Sequence, residues 1–297
     1  MSRRIKIIAN PVSGRGRGTR LGREVADCLR AQGADPILAQ TLCAGDACRL
    51  AGEPDDCFAV AGVGGDGTIN EVLNGLREGA ALGMIPCGTA NVLAKELRLP
   101  RDAAGLARVL ASGREVPWDL GADAVTGRKF LLFASAGYDA HVVHRFHAAR
   151  KGPIRMTHYL ASGLRCMIDY VPPRIRVELD GRALAGEASW VIVSNVASYG
   201  GPLVFTPRAA PADGTFEVLV LRGNRRRDVV RMFWRALAGW LLRRDFPLAG
   251  ASFHRARRVR LLPGDDGRVP VQIDGDPGGF LPAEFVVRPA AVRLLAP

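Results

Sequence analysis

The sequence predicts two domains: an α/β domain built on a parallel sheet, followed by a mainly antiparallel β-sandwich. Two observations carry this. Up to about residue 120, short apolar runs alternate with segments whose apolar residues recur at helical spacing, which implies strand–helix units, a parallel sheet and right-handed crossovers. Beyond that point strand-like runs follow one another, and no regular helix separates most of them. A chain of 297 residues is long enough to give each domain its own core.

In the first domain, Ile5–Ala9 is an apolar strand that ends at Asn10-Pro11. Ser13–Gly18 (SGRGRG) follows, and then Leu21, Val25, Cys28 and Leu29 repeat at helical spacing. Pro36–Ala39 fits a second strand with Thr41 just past its end, and Asp46–Ala51 starts another helix. The third strand opens Phe58–Leu76 (FAVAGVGGDGTINEVLNGL), which breaks into Gly62, Gly64, Gly65 and Gly67. It resumes at helical spacing through Ile69, Val72, Leu73 and Leu76. Thr68 and Glu71 have capping-box spacing, so the helix is expected to begin just after Thr68. Leu82–Pro86 is a fourth strand, broken at Cys87-Gly88-Thr89 before the helical ANVLAKEL. Ala103–Ser112 is a further helix, and Val116–Leu120 closes the domain near residue 122.

The second domain, about residues 123–284, is expected to hold strands at Phe130–Ala134, Arg174–Leu179, Ser189–Val196, Thr215–Leu221, Arg258–Pro263 and Val269–Ile273. In Arg174–Leu179, Ile175, Val177 and Leu179 alternate with charged residues, as in a strand with one wet face. Two helical interruptions are expected, His141–Val171 and Arg227–Phe246. The tail, Glu284–Leu295, is a last strand, with residues 285–297 returning to the first domain.

A strand, a glycine loop and a helix N-terminus in that order favour an anion: glycines admit close approach, and free N–H groups with the helix dipole suit phosphate oxygens. Asp66 inside the loop would repel phosphate unless a divalent cation bridged the two, which points to nucleotide with Mg²⁺. Asn10, Thr41, Gly64–Gly67 and Thr89 all follow strand carboxyl ends, the edge where open α/β sheets bind ligands. Gly62-x-Gly64-x-x-Gly67 formally matches a dinucleotide fingerprint. It lies on the third strand, however, and Cys87-Gly88 stands where a ribose-binding acid would be expected. No Gly-Lys pair occurs, which excludes a Walker A loop.

The net charge of +12 rests mostly on arginine, with lysine only at positions 6, 95, 129 and 151. Such a surface suits phosphate-bearing partners, and genome composition explains it equally well. Nucleic acid is not the expected partner, because no recognition motif occurs and aromatic residues are 6% of the chain. The six cysteines form no C-x-x-C pair and read as reduced. No signal-like or membrane-spanning run is present, so the expectation is a cytoplasmic protein that touches membrane only at its surface, on the inner face. His141, His144 and His147 drift around a helix without a carboxylate to complete a metal set, and read as surface histidines. Arg225–Arg244 carries arginines at both ends and two tryptophans, a pattern suited to a membrane interface. Packing on the second domain is its first reading, since two hydrophobic sides suggest burial.

Asn10-Pro11 with Ser13-Gly14, Gly64–Thr68 (GGDGT) and Gly88–Asn91 (GTAN) together resemble the diacylglycerol kinase catalytic-domain family, within the NAD kinase and phosphofructokinase superfamily. The later ADG (Ala212–Gly214) and VQIDGD (Val271–Asp276) are similar to the bacterial soluble members, and the likeness runs in order from Lys6 to Leu295. The resemblance implies an ATP- and Mg²⁺-dependent lipid kinase, with diacylglycerol or a related lipid alcohol as acceptor at an anionic membrane surface, and a homodimer as one open assembly. It implies ATP contacts at Asn10, Thr41, Gly64, Gly65, Asp66, Gly67, Thr68, Asn70 and Thr89. Asp66 and Asp119 would organise Mg²⁺ through water, and Asp213 with the backbones of Ala210 and Thr215 would form a second Mg²⁺ site. Asp274 and Asp276 would share the general-base role, in a cleft between the domains. The family usually has Glu at the last place; Asp276 sets the carboxylate back by roughly 1 Å. Two alternatives stay open: a kinase of a soluble acceptor, as NAD kinases are, and a non-catalytic protein that binds nucleotide or an anionic surface. Asp274-Gly275 and Asp213-Gly214 are also ordinary turn signals, and Thr89 an ordinary N-cap.

Overall fold

The computed structural model describes residues 3–149, 163, 165–167, 169–200, 203–223, 225–242, 250–265 and 267–297. The chain forms two compact units, residues 1–118 with 290–297 and residues 119–289.

The first unit holds β1 (Arg4–Ala9), α1 (Gly18–Ala31), β2 (Asp35–Gln40), α2 (Asp46–Gly52), β3 (Ala59–Gly64), α3 (Asp66–Gly75), β4 (Ala81–Pro86), α4 (Val92–Glu96) and α5 (Ala103–Ser112). Its strands are parallel in the order β2-β1-β3-β4, as the alternation of strand and helix predicts. Leu294, in the chain's last strand, pairs parallel with Leu82 of β4. Ile5, Ile7, Ala59, Ala61, Val63, Ala81 and Ile85 are buried, as expected of a parallel sheet covered on both faces. Each fully buried Ile or Val contributes about 1.5–3 kcal/mol. Gly62 lets α3 lie close: a β-carbon there would fall 2.7 Å from Ile69 Cδ1.

The helix α3 begins at Asp66, with Gly65 as an extended N-cap residue, not after Thr68. The expected capping box is absent, because the Glu71 carboxylate reaches across to accept the Gly45 N–H at 3.1 Å. Asn91 precedes α4 in the N-cap position, so Thr89 does not cap it.

β5 (Glu115–Asp123) leads into the second unit. There follow β6 (Lys129–Phe130), β7 (Phe133–Ala136), α6 (Tyr138–Ala149), β8 (Ile175–Leu179), β9 (Arg182–Ala183), β10 (Trp190–Ser194), β11 (Ser198–Tyr199), β12 (Leu203–Val204), β13 (Phe216–Leu221), α7 (Arg226–Leu242), β14 (Ala251–Ala256), β15 (Arg258–Pro263), β16 (Pro270–Ile273), β17 (Asp276–Phe280) and β18 (Ala283–Leu295). One antiparallel sheet runs β14-β13-β10-β7-β16-β17. Opposite it, β15 pairs antiparallel with both β8 and β18. Phe130, Val177, Val193, Phe216, Val218, Val259, Val271 and Phe285, drawn from both layers, share one core, which is the expected sandwich.

The single strand expected at Phe130–Ala134 is two, split at Leu131-Leu132. The cause is chemical: the amides of Leu131, Leu132 and Phe133 all donate to the Asp274 carboxylate instead of to a neighbouring strand. The expected helix His141–Val171 starts earlier, at Tyr138, and residues 150–162 lie outside the described ones. Helix α7 takes the place of the expected Arg227–Phe246, of which 243–246 lie outside the described residues. It buries Val229, Met232 and Ala236 and exposes Trp234, Leu241 and Leu242, so one side alone is packed. Among the described residues no helix is long and apolar enough to cross a membrane.

Candidate active site

In the first unit the carboxyl ends of β1, β3 and β4 bring the sequence motifs together. Asn10 donates its N–H to Val63 O at 3.2 Å and its Nδ2 to Thr68 Oγ1 at 3.3 Å. Thr41, buried at the end of β2, donates its N–H to Ala9 O at 3.0 Å. The loops after β3 and β4 touch backbone to backbone: a β-carbon on Gly88 would lie 2.4 Å from Gly65 Cα. Gly14 is held equally close, since a β-carbon there would meet Cys87 Sγ at 2.2 Å. No side chain fits at Gly14 or Gly88, so main chain meets its neighbours directly there. Asn70 lies one turn into α3, buried, and accepts from Asn74 Nδ2 at 3.1 Å. Thr89 is exposed on the loop before α4.

Asp66 has a packing role that sequence reasoning did not find. Its oxygens accept the N–H groups of Val92 at 3.0 Å and Leu93 at 3.1 Å, so it ties the GGDGT loop to the first turn of α4. Burial raises its pKa above the ordinary carboxylate value, outweighing these amides and Lys95. Each oxygen keeps a further lone pair, so the side chain can still hold a cation through water.

In the second unit Asp274-Gly275 forms the two-residue turn between β16 and β17, with φ of +49° and +87°. Asp274 is 7% exposed. Its oxygens accept from Leu131 at 2.9 Å and from Leu132 and Phe133 at 3.0 Å. Asp276 opens β17 and is far more open, its side chain 39% exposed. Arg128 Nη2 lies 3.5 Å from its Oδ2, and His147 Nε2 lies 3.3 Å from its Oδ1.

Asp119 is buried and binds the 211–214 loop twice, its N–H donating to Pro211 O and its Oδ2 accepting from Gly214 N at 2.7 Å, while its carbonyl accepts from Asn195 Nδ2, just past β10. Asp213 Oδ1 accepts from Thr215 N and Oγ1, both at 2.9 Å, the Asx turn that the D-G pair suggests. Its Oδ2 is 3.5 Å from Arg255 Nη1. Among the described residues no three His, Cys, Asp or Glu side chains converge on one point. The donors at hand are one carboxylate with the carbonyls of Ala210 and Thr215. All are hard oxygens, which fit Mg²⁺ with water completing its shell.

Sequence reasoning missed Arg128, His147 and Asp139. The three histidines of α6, expected at the surface, are half-buried. His144 Nε2 bonds Val271 O at 2.8 Å, and burial lowers the pKa of His141, which stacks near Tyr170. Asp139 lies fully inside the second unit, where Ser135, Trp190, Tyr199, Gln272 and the Ala140 N–H donate to it. Gln272 Oε1 in turn accepts the Gly275 N–H at 2.8 Å, which links that cage to the turn carrying Asp274. The spacing of three between histidines was the one visible signal.

Comparison with known proteins follows the same division. Residues 4–122 match the diacylglycerol kinase catalytic domain, and residues 133–296 match the YegS C-terminal NAD kinase beta sandwich-like domain. A diacylglycerol kinase of Bacillus subtilis (strain 168) is 30% identical over 290 residues, 96% of this chain and 93% of its own. One from Staphylococcus carnosus (strain TM300) is 28% identical over 293 residues, 96% of this chain and 92% of its own. A crystal structure of a diacylglycerol kinase from Bacillus anthracis str. Sterne superposes with a TM-score of 0.74 at 20% identity, covering 100% of this chain and 97% of that one. An NAD kinase from Archaeoglobus fulgidus, solved in complex with ATP, shares the fold at a TM-score of 0.53 and 13% identity, covering 98% and 92%.

Proposed function

The chain belongs to the diacylglycerol kinase family, phosphotransferases with an alcohol acceptor, and from that membership we propose that it moves the γ-phosphoryl group of ATP to a lipid hydroxyl. The observation that carries this reading is the backbone-to-backbone packing of the Gly64–Thr68 loop on the Gly88–Asn91 turn at the edge of the first unit, where a β-carbon on Gly88 would fall 2.4 Å from Gly65 Cα. Phosphoryl transfer asks for positioning and charge neutralisation more than covalent chemistry. The first-turn amides of α3, at Asp66, Gly67 and Thr68, have no intrahelical partner and suit phosphate oxygens. Asn10, Thr41, Asn70 and Thr89 border that edge and complete the nucleotide contacts. The NAD kinase of like fold, solved with ATP, supports the choice of donor.

In the first unit Asp66 would hold Mg²⁺ through water; in the second, Asp213 with the carbonyls of Ala210 and Thr215 would hold another ion, beside Asp119, which is tied to the same loop. When bound, the metal neutralises charge on the phosphate oxygens. Asp276 takes the acceptor's proton, because it is the open acid of the IDGD turn. Asp274 fixes that turn through three amides. Arg227, Arg231, Trp234 and Leu241 share one exposed stripe of α7, which would rest on anionic lipid with about 1 kcal/mol for each arginine at the surface.

The test is transfer from labelled ATP over lipid extracts and single lipid alcohols, diacylglycerol among them. Label is expected in a lipid with the wild-type chain and lost with Asp276→Asn. Label in no lipid, or label undiminished in Asp276→Asn, overturns the reading.

A further inference from the structure

His147 and Asp276 meet at ion-pair distance, a contact that favours a protonated ring. His147 Nδ1 is 3.0 Å from Val143 O, one turn back on α6, and a carbonyl oxygen can only accept, so Nδ1 carries a hydrogen. In the neutral ring Nε2 would then be a bare lone pair, yet it lies 3.3 Å from a carboxylate oxygen, Asp276 Oδ1. A lone pair and a carboxylate repel at that distance, so the contact is favourable as an ion pair, with the ring protonated. Arg128 decides where that proton rests. Its Nη1 donates to Pro277 O at 2.8 Å, and its Nη2 stands 3.5 Å from Asp276 Oδ2, so a fixed positive charge faces that carboxylate from the other side. The proton therefore sits on the ring.

Among the described residues, the other charged and titratable groups beside the pair have partners of their own. On α6, His144 bonds Val271 O and packs on Phe280, and Arg145 pairs with Asp169. From the β16 side, Arg268 lies over the Phe280 ring.

We infer that His147 is a positioning residue for phosphoryl transfer: as an imidazolium it fixes Oδ1 of Asp276, while Oδ2, held only by the longer 3.5 Å Arg128 contact, receives the acceptor's proton. The inference rests on the lipid-kinase reading above. The step balances. The acceptor oxygen bonds to the γ-phosphorus, the bond from phosphorus to the ADP oxygen breaks, and its electron pair leaves with ADP. The hydroxyl proton passes to Asp276, so the pair holds two protons in place of one and resets by releasing one to solvent. The arrangement also fits the shorter acid. A glutamate would carry its carboxylate roughly 1 Å further and out of register with both His147 and Arg128.

Two measurements on the full chain test this. With ¹³C-labelled histidine, the His147 ring signal is titrated by NMR in wild type and in Asp276→Asn. The expected result is a fall of about one pH unit or more in the His147 midpoint when the carboxylate charge is removed. Kinetically, His147→Gln should lower kcat about tenfold, less than loss of the base itself, and leave KM for ATP unchanged. It should also abolish the alkaline limb of the kcat–pH profile, since the wild type loses its imidazolium as pH rises and glutamine does not titrate. Thermal melting of each variant checks the fold. A His147 midpoint that ignores Asp276→Asn, or a His147→Gln profile that keeps the wild-type limb, overturns the inference. Failure of the lipid-kinase reading looks different: no acceptor is labelled by the wild type, while the titration, read without turnover, still decides whether the pair exists.

Discussion

Each unit carries an aspartate–glycine pair, at the start of α3 in the first and in the β16–β17 turn in the second. In the first unit Asp66 accepts two amides from the start of α4 and so fixes its loop against the next one. In the second, Asp274 accepts three amides from Leu131, Leu132 and Phe133 and fixes the β16–β17 turn against a broken strand. Both acids are turned toward backbone. The contrast lies in what each turn leaves open: in the first unit the loop's own amides, in the second a further acid, Asp276. In each D-G motif the first acid supplies architecture, and the proposed function gives the chemistry to the groups that acid places.

The largest effect expected from this contrast is at Asp276. Replacing it with asparagine keeps the size and the turn but removes the base, so kcat should fall by about 10²–10⁴-fold. The melting temperature should hardly move. Steady-state transfer rates beside thermal melts check both halves. A variant that melts early and keeps its kcat would reverse the roles of Asp274 and Asp276.

Asp274→Ala comes next, and its effect should be on stability. Three donors would lose one acceptor in a site that excludes water, at about 1–3 kcal/mol for each buried group left unpaired. A loss on the order of 3 kcal/mol or more in denaturant unfolding is the expected result. Asp66→Ala strands two amides, at the first turn of a short helix, and should cost about 2 kcal/mol. If the two variants cost the same, counting amides is the wrong account of the difference.

How much of this was legible in the sequence follows from how local each cause is. The buried strands of the first unit announce themselves as apolar runs, and β15 occupies Arg258–Pro263 as the alternation of arginine with Val259 and Leu261 implies. The gathering of Asn10, Gly64–Thr68 and Gly88–Asn91 follows from a parallel sheet, whose strand carboxyl ends share one edge. The break at Leu131-Leu132 was invisible, because its cause is an acid more than a hundred residues away. The cage around Asp139 and the contact of His147 with Asp276 hide for the same reason. Both join α6 to strands that only the folded sandwich brings near.

The smallest expected effect is a pH dependence, and it separates the two forces that act on Asp66. Burial raises its pKa, so the folded state disfavours the charge that the two amides favour. An acid raised in the folded state contributes stability that is fully present below its unfolded value and lost as pH rises through the folded value. Asp66→Asn cannot titrate and lacks that loss. The stability gap between wild type and Asp66→Asn should therefore be widest at the acid end and narrow as pH climbs, measured by denaturant unfolding between about pH 4 and 8. A gap that widens with pH would mean that the amides of Val92 and Leu93 outweigh burial. Asp66 would then hold α4 most firmly as the anion.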